Sequence, residues 1–190
     1  MVTHANDALT FLVQTLFGLY MLLVLLRFLF QLVRADFYNP ISQFVVKATN
    51  PPLAQLRRVI PGVAGIDLSC IVLLIVLQLA ELWIIYALKG FDLPFMSLLF
   101  FTVAELLRLT INIFFWTILI QVVMSWVNPG SYNPVTGLLS SLNEPVLRPA
   151  RRLLPPISGF DLSPLVVMIA LKLVEILLIR SVEDLAKIFL

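Results

Sequence analysis

Charge is what this chain has least of. Only 13% of its 190 residues are Asp, Glu, Lys or Arg, where a soluble domain carries roughly a quarter. With 61% hydrophobic residues and a mean hydropathy of +1.02, it cannot cover itself with polar surface in water. A soluble globular protein is excluded, and an integral membrane protein is expected. Cys70 is the sole cysteine, so no internal disulfide can form and the redox compartment is unreadable. His4 is the sole histidine and reads as a solvated residue of the N-terminal segment. There is no P-loop, no Rossmann glycine pattern, no Cys-x-x-Cys or His-x-x-His spacing and no nucleophile–base pair. No catalytic residue, metal or cofactor is therefore expected. A net charge of +2 gives no reason to expect a nucleic-acid partner.

What is present is apolar and long. A bilayer core of ~30 Å needs about 20 apolar residues in a helix, and four runs meet that length or approach it. The first covers 8–33 and is broken only by Gln14, Arg27 and Gln31; the second covers 68–88. The third starts at Pro94 or Phe95 and ends at Val127, with its spanning part expected over 97–127. The fourth covers 163–179. The third is too long for a perpendicular span, so its start, up to Arg108, is expected to lie along the interface or tilt into it. Residues 181–190 alternate charged and apolar side chains and are expected to form an amphipathic tail on the membrane surface. Residues 1–7 carry no Lys or Arg, and the first run is too long for the apolar core of a cleavable signal, so a first span is expected.

The polar stretches between the runs are two copies of one text. Tyr38-Asn39-Pro40, Pro51, Leu53, Arg57-Arg58, Pro61, Gly65 and Asp67-Leu68-Ser69 recur as Tyr132-Asn133-Pro134, Pro145, Leu147, Arg151-Arg152, Pro155, Gly159 and Asp161-Leu162-Ser163. Each identity falls at one offset (132 − 38 = 94). The chain thus reads as two tandem parallel repeats, 1–93 and 94–190. Each is a helical hairpin, with loops over 34–67 and 128–162 on the same membrane face. That face carries Arg34, Lys47, Arg57, Arg58, Arg148, Arg151 and Arg152, against Lys89, Arg180 and Lys187 on the other. The positive-inside rule puts the loops in the cytoplasm and both termini outside.

Within each loop, Asn39-Pro40 and Asn133-Pro134 read as helix starts: Asn caps the open backbone donors and Pro suits the first helical position. Ile41, Phe44, Val45 and Ala48, and their equivalents Val135, Leu138, Leu139 and Leu142, form an apolar stripe. Pro51 and Pro145 are expected to end this helix and start a second short one carrying the arginine pair. Asp67 or Ser69, and Asp161 or Ser163, are expected to cap the second span of each repeat. An alternative use of the two aspartates is a cation site near the pseudo-axis. The pairs Arg57-Arg58 and Arg151-Arg152 serve as topology signals and lipid-phosphate contacts, or as a docking site for an acidic partner.

The combination Asn-Pro, Glu-Pro-Val-Leu, Arg-Arg, Pro-Pro and Gly-x-Asp-x-Ser-Pro, read over Asn133–Pro164, resembles the YGGT-repeat family of small bacterial and plastid membrane proteins. The first copy departs from it at Asn50, Gly62 and Cys70, where the second has Glu144, Pro156 and Pro164. The resemblance implies a small four-span bacterial inner-membrane protein, linked to division and envelope organisation, osmotic tolerance and, in plastids, cytochrome maturation. It brings no catalytic residues.

The 94-residue offset also pairs Glu81 with Glu175, and Gln78 with Lys172 three residues earlier. Each repeat's second helix thus carries a polar residue and a glutamate one turn apart. Glu105 and Arg108 repeat that spacing in the third run. An intramembrane charge costs at least ~2.5–3.5 kcal/mol on insertion scales, so these side chains should face the bundle interior, a partner or water. A neutralised network is expected, with Arg108 and Lys172 set against Glu81, Glu105 and Glu175; an ion or proton pathway is the alternative. The functional expectation is a non-enzymatic scaffold or assembly factor. It would dock anionic lipid or protein partners through its basic loops, as a single chain or as a homo-oligomer. A small channel or transporter component in osmotic or ion balance is the alternative.

Overall fold

The computed structural model describes residues 2–63, 65–127, 133–154 and 161–190. Tyr132, Pro155, Pro156 and Gly159 of the repeated motif lie outside these. Seven α-helices and one π segment carry the described chain: α1 (Val2–Leu32), α2 (Pro40–Leu56), α3 (Leu68–Leu88), α4 (Phe95–Val127), α5 (Pro134–Leu153), α6 (Ser163–Val174), the π segment (Glu175–Ile179) and α7 (Arg180–Lys187). Three stretches are long and apolar enough to cross a membrane: His4–Leu32, Leu68–Leu88 and Phe95–Val127. Long helices apolar on every face are what lipid demands, because each backbone polar group must be satisfied within its own segment.

The packing repeats as the motif does. α1 lies against α3 with α2 across their end, and α4 lies against α6 and α7 with α5 across the matching end. α3 against α4 joins the halves. In the first half Val24, Leu53 and Leu73 are buried in one cluster. Adding 94 gives Ile118, Leu147 and Val167, the buried cluster of the second half. In each half the loop helix therefore seats one leucine between two long helices. Lipid is as apolar as leucine, so this seat works through close contact rather than through exclusion from water.

Two expectations are corrected. Pro51 and Pro145 do not separate two short helices; they lie inside the continuous α2 and α5, as do Pro52 and Pro149. The helices run on because Leu53 and Leu147, two residues beyond Pro51 and Pro145, are locked in the core at 0% and 1% exposure. A tertiary seat of this kind outweighs a missing backbone donor. In α2 the buried face is Ser42, Val45, Thr49 and Leu53, and Phe44 stays exposed. The third run is one continuous 33-residue helix, about 50 Å long at 1.5 Å per residue.

The tail does not lie apart from the bundle. α6, the π segment and α7 follow one another without a break over 12, 5 and 8 residues, and α7 packs on α4. Phe189 stacks on Phe100 at 5.6 Å, and Glu183 pairs with Arg108. Part of the tail's apolar face is thus covered by α4, while Leu185 and Ile188 stay exposed.

Candidate functional site

The two loop modules are built alike, starting from their caps. Asn39 Oδ1 accepts from Ile41 N at 3.0 Å at the start of α2. Asn133 Oδ1 accepts from Thr136 N at 2.9 Å, and Thr136 Oγ1 accepts from Asn133 N at 3.0 Å, a reciprocal capping box at the start of α5. Pro40 and Pro134 occupy the first helical positions. Asn39 also ties the modules together: its Nδ2 donates to Pro134 O at 2.6 Å. The two loop helices thus meet at their N-terminal ends.

Each arginine pair is divided in its duties. Arg57 donates through Nε and Nη2 to Asp67. Asp67 also accepts from Ser69 N at 3.2 Å, capping α3. Arg151 Nε donates to Asp161 at 2.9 Å, and Asp161 accepts from Ser163 N at 2.9 Å. Arg151 reaches Glu144 as well, at 3.1 Å. Asp67 is thus the N-cap of α3, Asp161 takes the first N–H of α6 from the residue before its N-cap Leu162, and each also holds its own arginine. Burial would raise the Asp67 carboxyl, but the hydrogen bonds from Arg57 and Cys70 outweigh it and hold it below the ordinary carboxylate value. Burial pushes Asp161 up too, and its bonds from Ser163 and Arg151 bring it below that value. Gly65, at φ 83°, makes the turn that returns the chain to Asp67. Arg58 and Arg152 are exposed and pair with no carboxylate among the described residues. With exposed Lys47 and Arg148 they form the outward charge of the two loop modules, a basic collar.

A second repeated contact escaped the reading of the motif. Arg27 Nη1 donates to Thr49 Oγ1 at 2.9 Å and to Val46 O at 3.2 Å. At the 94-residue equivalents, Asn143 Nδ2 donates to Gln121 Oε1 at 2.7 Å and accepts from Thr117 Oγ1 at 2.8 Å. Thr49 and Asn143 are fully buried. In both halves a polar side chain of the first long helix is bonded to one on the loop helix, so the loop helix is anchored and not merely floating on lipid. The offset itself was the available signal: 27 maps to 121 and 49 to 143, although neither pair is identical.

Cavities open at both loop ends. One of about 290 Å³ is lined by Arg27, Arg57, Gln31, Ser42 and the apolar Phe30 and Phe37. Its counterpart, about 370 Å³, is lined by Gln121, Ser125, Trp126, Arg151 and Asp161.

The intramembrane charges do not form one network. Arg108 pairs with Glu105 and Glu183, Lys172 with Glu175 at 2.6 Å, and Glu81 accepts from Gln78 at 2.7 Å. Glu81, Glu105 and Arg108 line one cleft of about 260 Å³ between α1, α3 and α4, with Gln14 and Asn112 beside them. Lys172 and Glu175 are not part of it; Lys172 lies over the Phe115 ring at 4.9 Å. Glu81 is the acid with no cation of its own. Glu183, on the tail, is the acid the sequence reading left out. Toward the first loop cavity, Val24, Leu25, Leu73 and Leu74 are buried in one apolar cluster, between the cleft residues Met21 and Gln78 and the cavity residues Arg27 and Arg57. Among the described residues no group of His, Cys, Asp and Glu could hold a metal ion.

The model of the CCB3/YggT family matches this sequence twice, over residues 6–88 and 100–182. Both ends of the second match lie 94 residues beyond those of the first. An uncharacterized protein of Pseudomonas aeruginosa is 48% identical over 178 residues, covering 93% of this chain and 90% of that protein. An uncharacterized protein of Vibrio alginolyticus is 40% identical, covering 90% and 94%. The uncharacterized protein YggT of Escherichia coli K12 is 36% identical over 170 residues, covering 89% and 88%. No solved structure matches.

Proposed function

The chain belongs to the CCB3/YggT family of membrane proteins, and on that footing we propose that it is a non-enzymatic scaffold or assembly factor of the bacterial inner membrane. It crosses the bilayer four times, α6 with the π segment forming the fourth crossing. Its two loop modules lie on the cytoplasmic side, where they dock anionic lipid or the acidic surface of a partner in envelope or division organisation. The observation that carries this reading is the rigid pairing of the loops. Asn39 joins them, Leu53 and Leu147 seat them, and Arg58 and Arg152 are left projecting outward. Two charges held in register act as one bivalent surface, and bivalence raises avidity without any new contact. The apolar plug between the cleft and the first loop cavity favours this reading over a conducting one.

The test pairs placement with flux. Labelling of Gln55→Cys and Pro149→Cys should find both in the same compartment. Photocrosslinking from positions 58 and 152 in native membranes should capture a defined partner or anionic lipid. Reconstituted vesicles should carry no ion current. A flux that disappears in the Glu81→Gln/Glu175→Gln double variant, with the fold intact, would replace the scaffold by a small channel or transporter component in osmotic or ion balance.

A further inference from the structure

The two loop cavities are equivalent in position but not in charge. Arg27, in the first, faces Gln121 in the second. Arg27 is buried, 6% exposed, and lies five residues before the end of α1, about 8 Å inside it. Its hydrogen bonds go to Thr49, to the Val46 carbonyl and to Asn50, all neutral. The nearby carboxylate, Asp67, is already taken by Arg57. Two guanidiniums and one carboxylate leave one positive charge over at this cavity. The second cavity has Arg151 with Asp161 and Glu144 and no such excess.

A second difference falls in the same place. Ser42 lines the first cavity and its Oγ, buried, has no hydrogen-bond partner. Its equivalent, Thr136, is fully engaged in the capping box. Both departures from the duplicate therefore converge on one cavity, and both ask for an acceptor. A buried cation without a counter-charge is strongly disfavoured. Its size, about 290 Å³, equals the share of roughly ten waters in the liquid, enough for a phosphodiester with part of its glycerol. Phe30 and Phe37 on the wall suit the carbon adjoining such a group.

We propose that the cavity between Arg27, Ser42 and Arg57 holds the phosphate of one anionic phospholipid per chain, and that the second repeat has no such site. The inference uses the membrane placement argued above but not the scaffold role. Arg27 supplies Nε–H and a remaining Nη2–H for a forked contact with two phosphate oxygens, the geometry for which arginine is suited. Arg57 keeps its Nη1 protons for a third.

Native mass spectrometry of the detergent-purified protein tests this. The wild type should retain one phosphatidylglycerol in preference to phosphatidylcholine. Arg27→Gln, which installs the side chain the second repeat already tolerates, should lower that retention about tenfold or more, the weight of one or two hydrogen bonds to charge. Ala35→Phe, which fills the cavity but keeps both arginines, should lower it equally. Retention unchanged in Arg27→Gln would overturn the site. Thermal protection by inorganic phosphate equal to that by phosphatidylglycerol would overturn the lipid as its source. Loss of the lipid in Arg58→Gln/Arg152→Gln but not in Arg27→Gln would overturn the cavity while leaving the docking collar in place.

Discussion

Asp67→Ala and Asp161→Ala each remove a bond to the backbone at a helix start and an arginine pair, with the weak Cys70 thiol bond lost only at Asp67, yet burial alone should already make their costs differ. Each aspartate accepts from the backbone at the start of a long helix, and losing such a cap costs about 1 kcal/mol. Each also holds an arginine, and here burial separates them. The Asp67 side chain is 6% exposed and that of Asp161 37%, while the two arginines are alike at 40% and 39%. An exposed pair contributes ~0–1 kcal/mol, whereas breaking a fully buried one costs ~3–5 kcal/mol. With only one partner buried, the Arg57–Asp67 pair should fall between these limits, at about 1–2 kcal/mol. The Arg151–Asp161 pair belongs near about 0.5 kcal/mol. The sums are about 2–3 kcal/mol for Asp67→Ala and about 1–1.5 kcal/mol for Asp161→Ala. Unfolding by sodium dodecyl sulfate titration from mixed micelles, followed by circular dichroism, would resolve that gap. Equal losses, or a larger loss at Asp161, would refute the claim that burial of the carboxylate sets the strength of the pair.

Acid should weaken the fold through the same two groups. Both carboxyls are held below their ordinary value, so the unfolded chain takes up protons first, near pH 4. Their contribution is complete above that pH and is lost as pH falls through the lower folded values; a melting temperature that rose on acidification in detergent would contradict this. Asn143→Ala strands Gln121 and Thr117 at a fully buried position and should cost ~2–4 kcal/mol, read by the same titration. Gly18→Ala adds a methyl where nothing lies within 4 Å, so it should stabilise α1 by ~0.5–1 kcal/mol; destabilisation would mean that the cleft beside Glu81 is occupied. Glu183→Gln should loosen the C-terminal helix from α4, seen as faster amide exchange over 180–187.

The duplication was plain in the sequence because identity at a fixed offset needs no theory of folding. The cap residues were equally plain, since Asn-Pro and Asp-x-Ser act through atoms two or three residues away. What escaped depended on distant partners. Proline is a breaker by local rule, but Pro51 and Pro145 stayed inside helices because Leu53 and Leu147 were held from elsewhere. The tail's alternation of charged and apolar residues is local, yet nothing local said that α4 would meet it. The partners of Arg27 and Asn143 lay in other helices, and only the offset connects them across the halves.

The π segment sets the two halves apart. At 3.6 residues per turn, winding one additional residue into Glu175–Ile179 turns everything after it by about 100°. The matching stretch of α3 is regular and its helix stops at Leu88. That quarter-turn brings Glu183 round to Arg108, so a carboxylate twenty residues beyond Ser163, the end of the repeat motif, comes to neutralise a guanidinium on the neighbouring rod. A single deletion within those five residues would barely shorten the protein. It would nonetheless rotate the terminal two turns out of phase, leaving one cation in the cleft with half its complement.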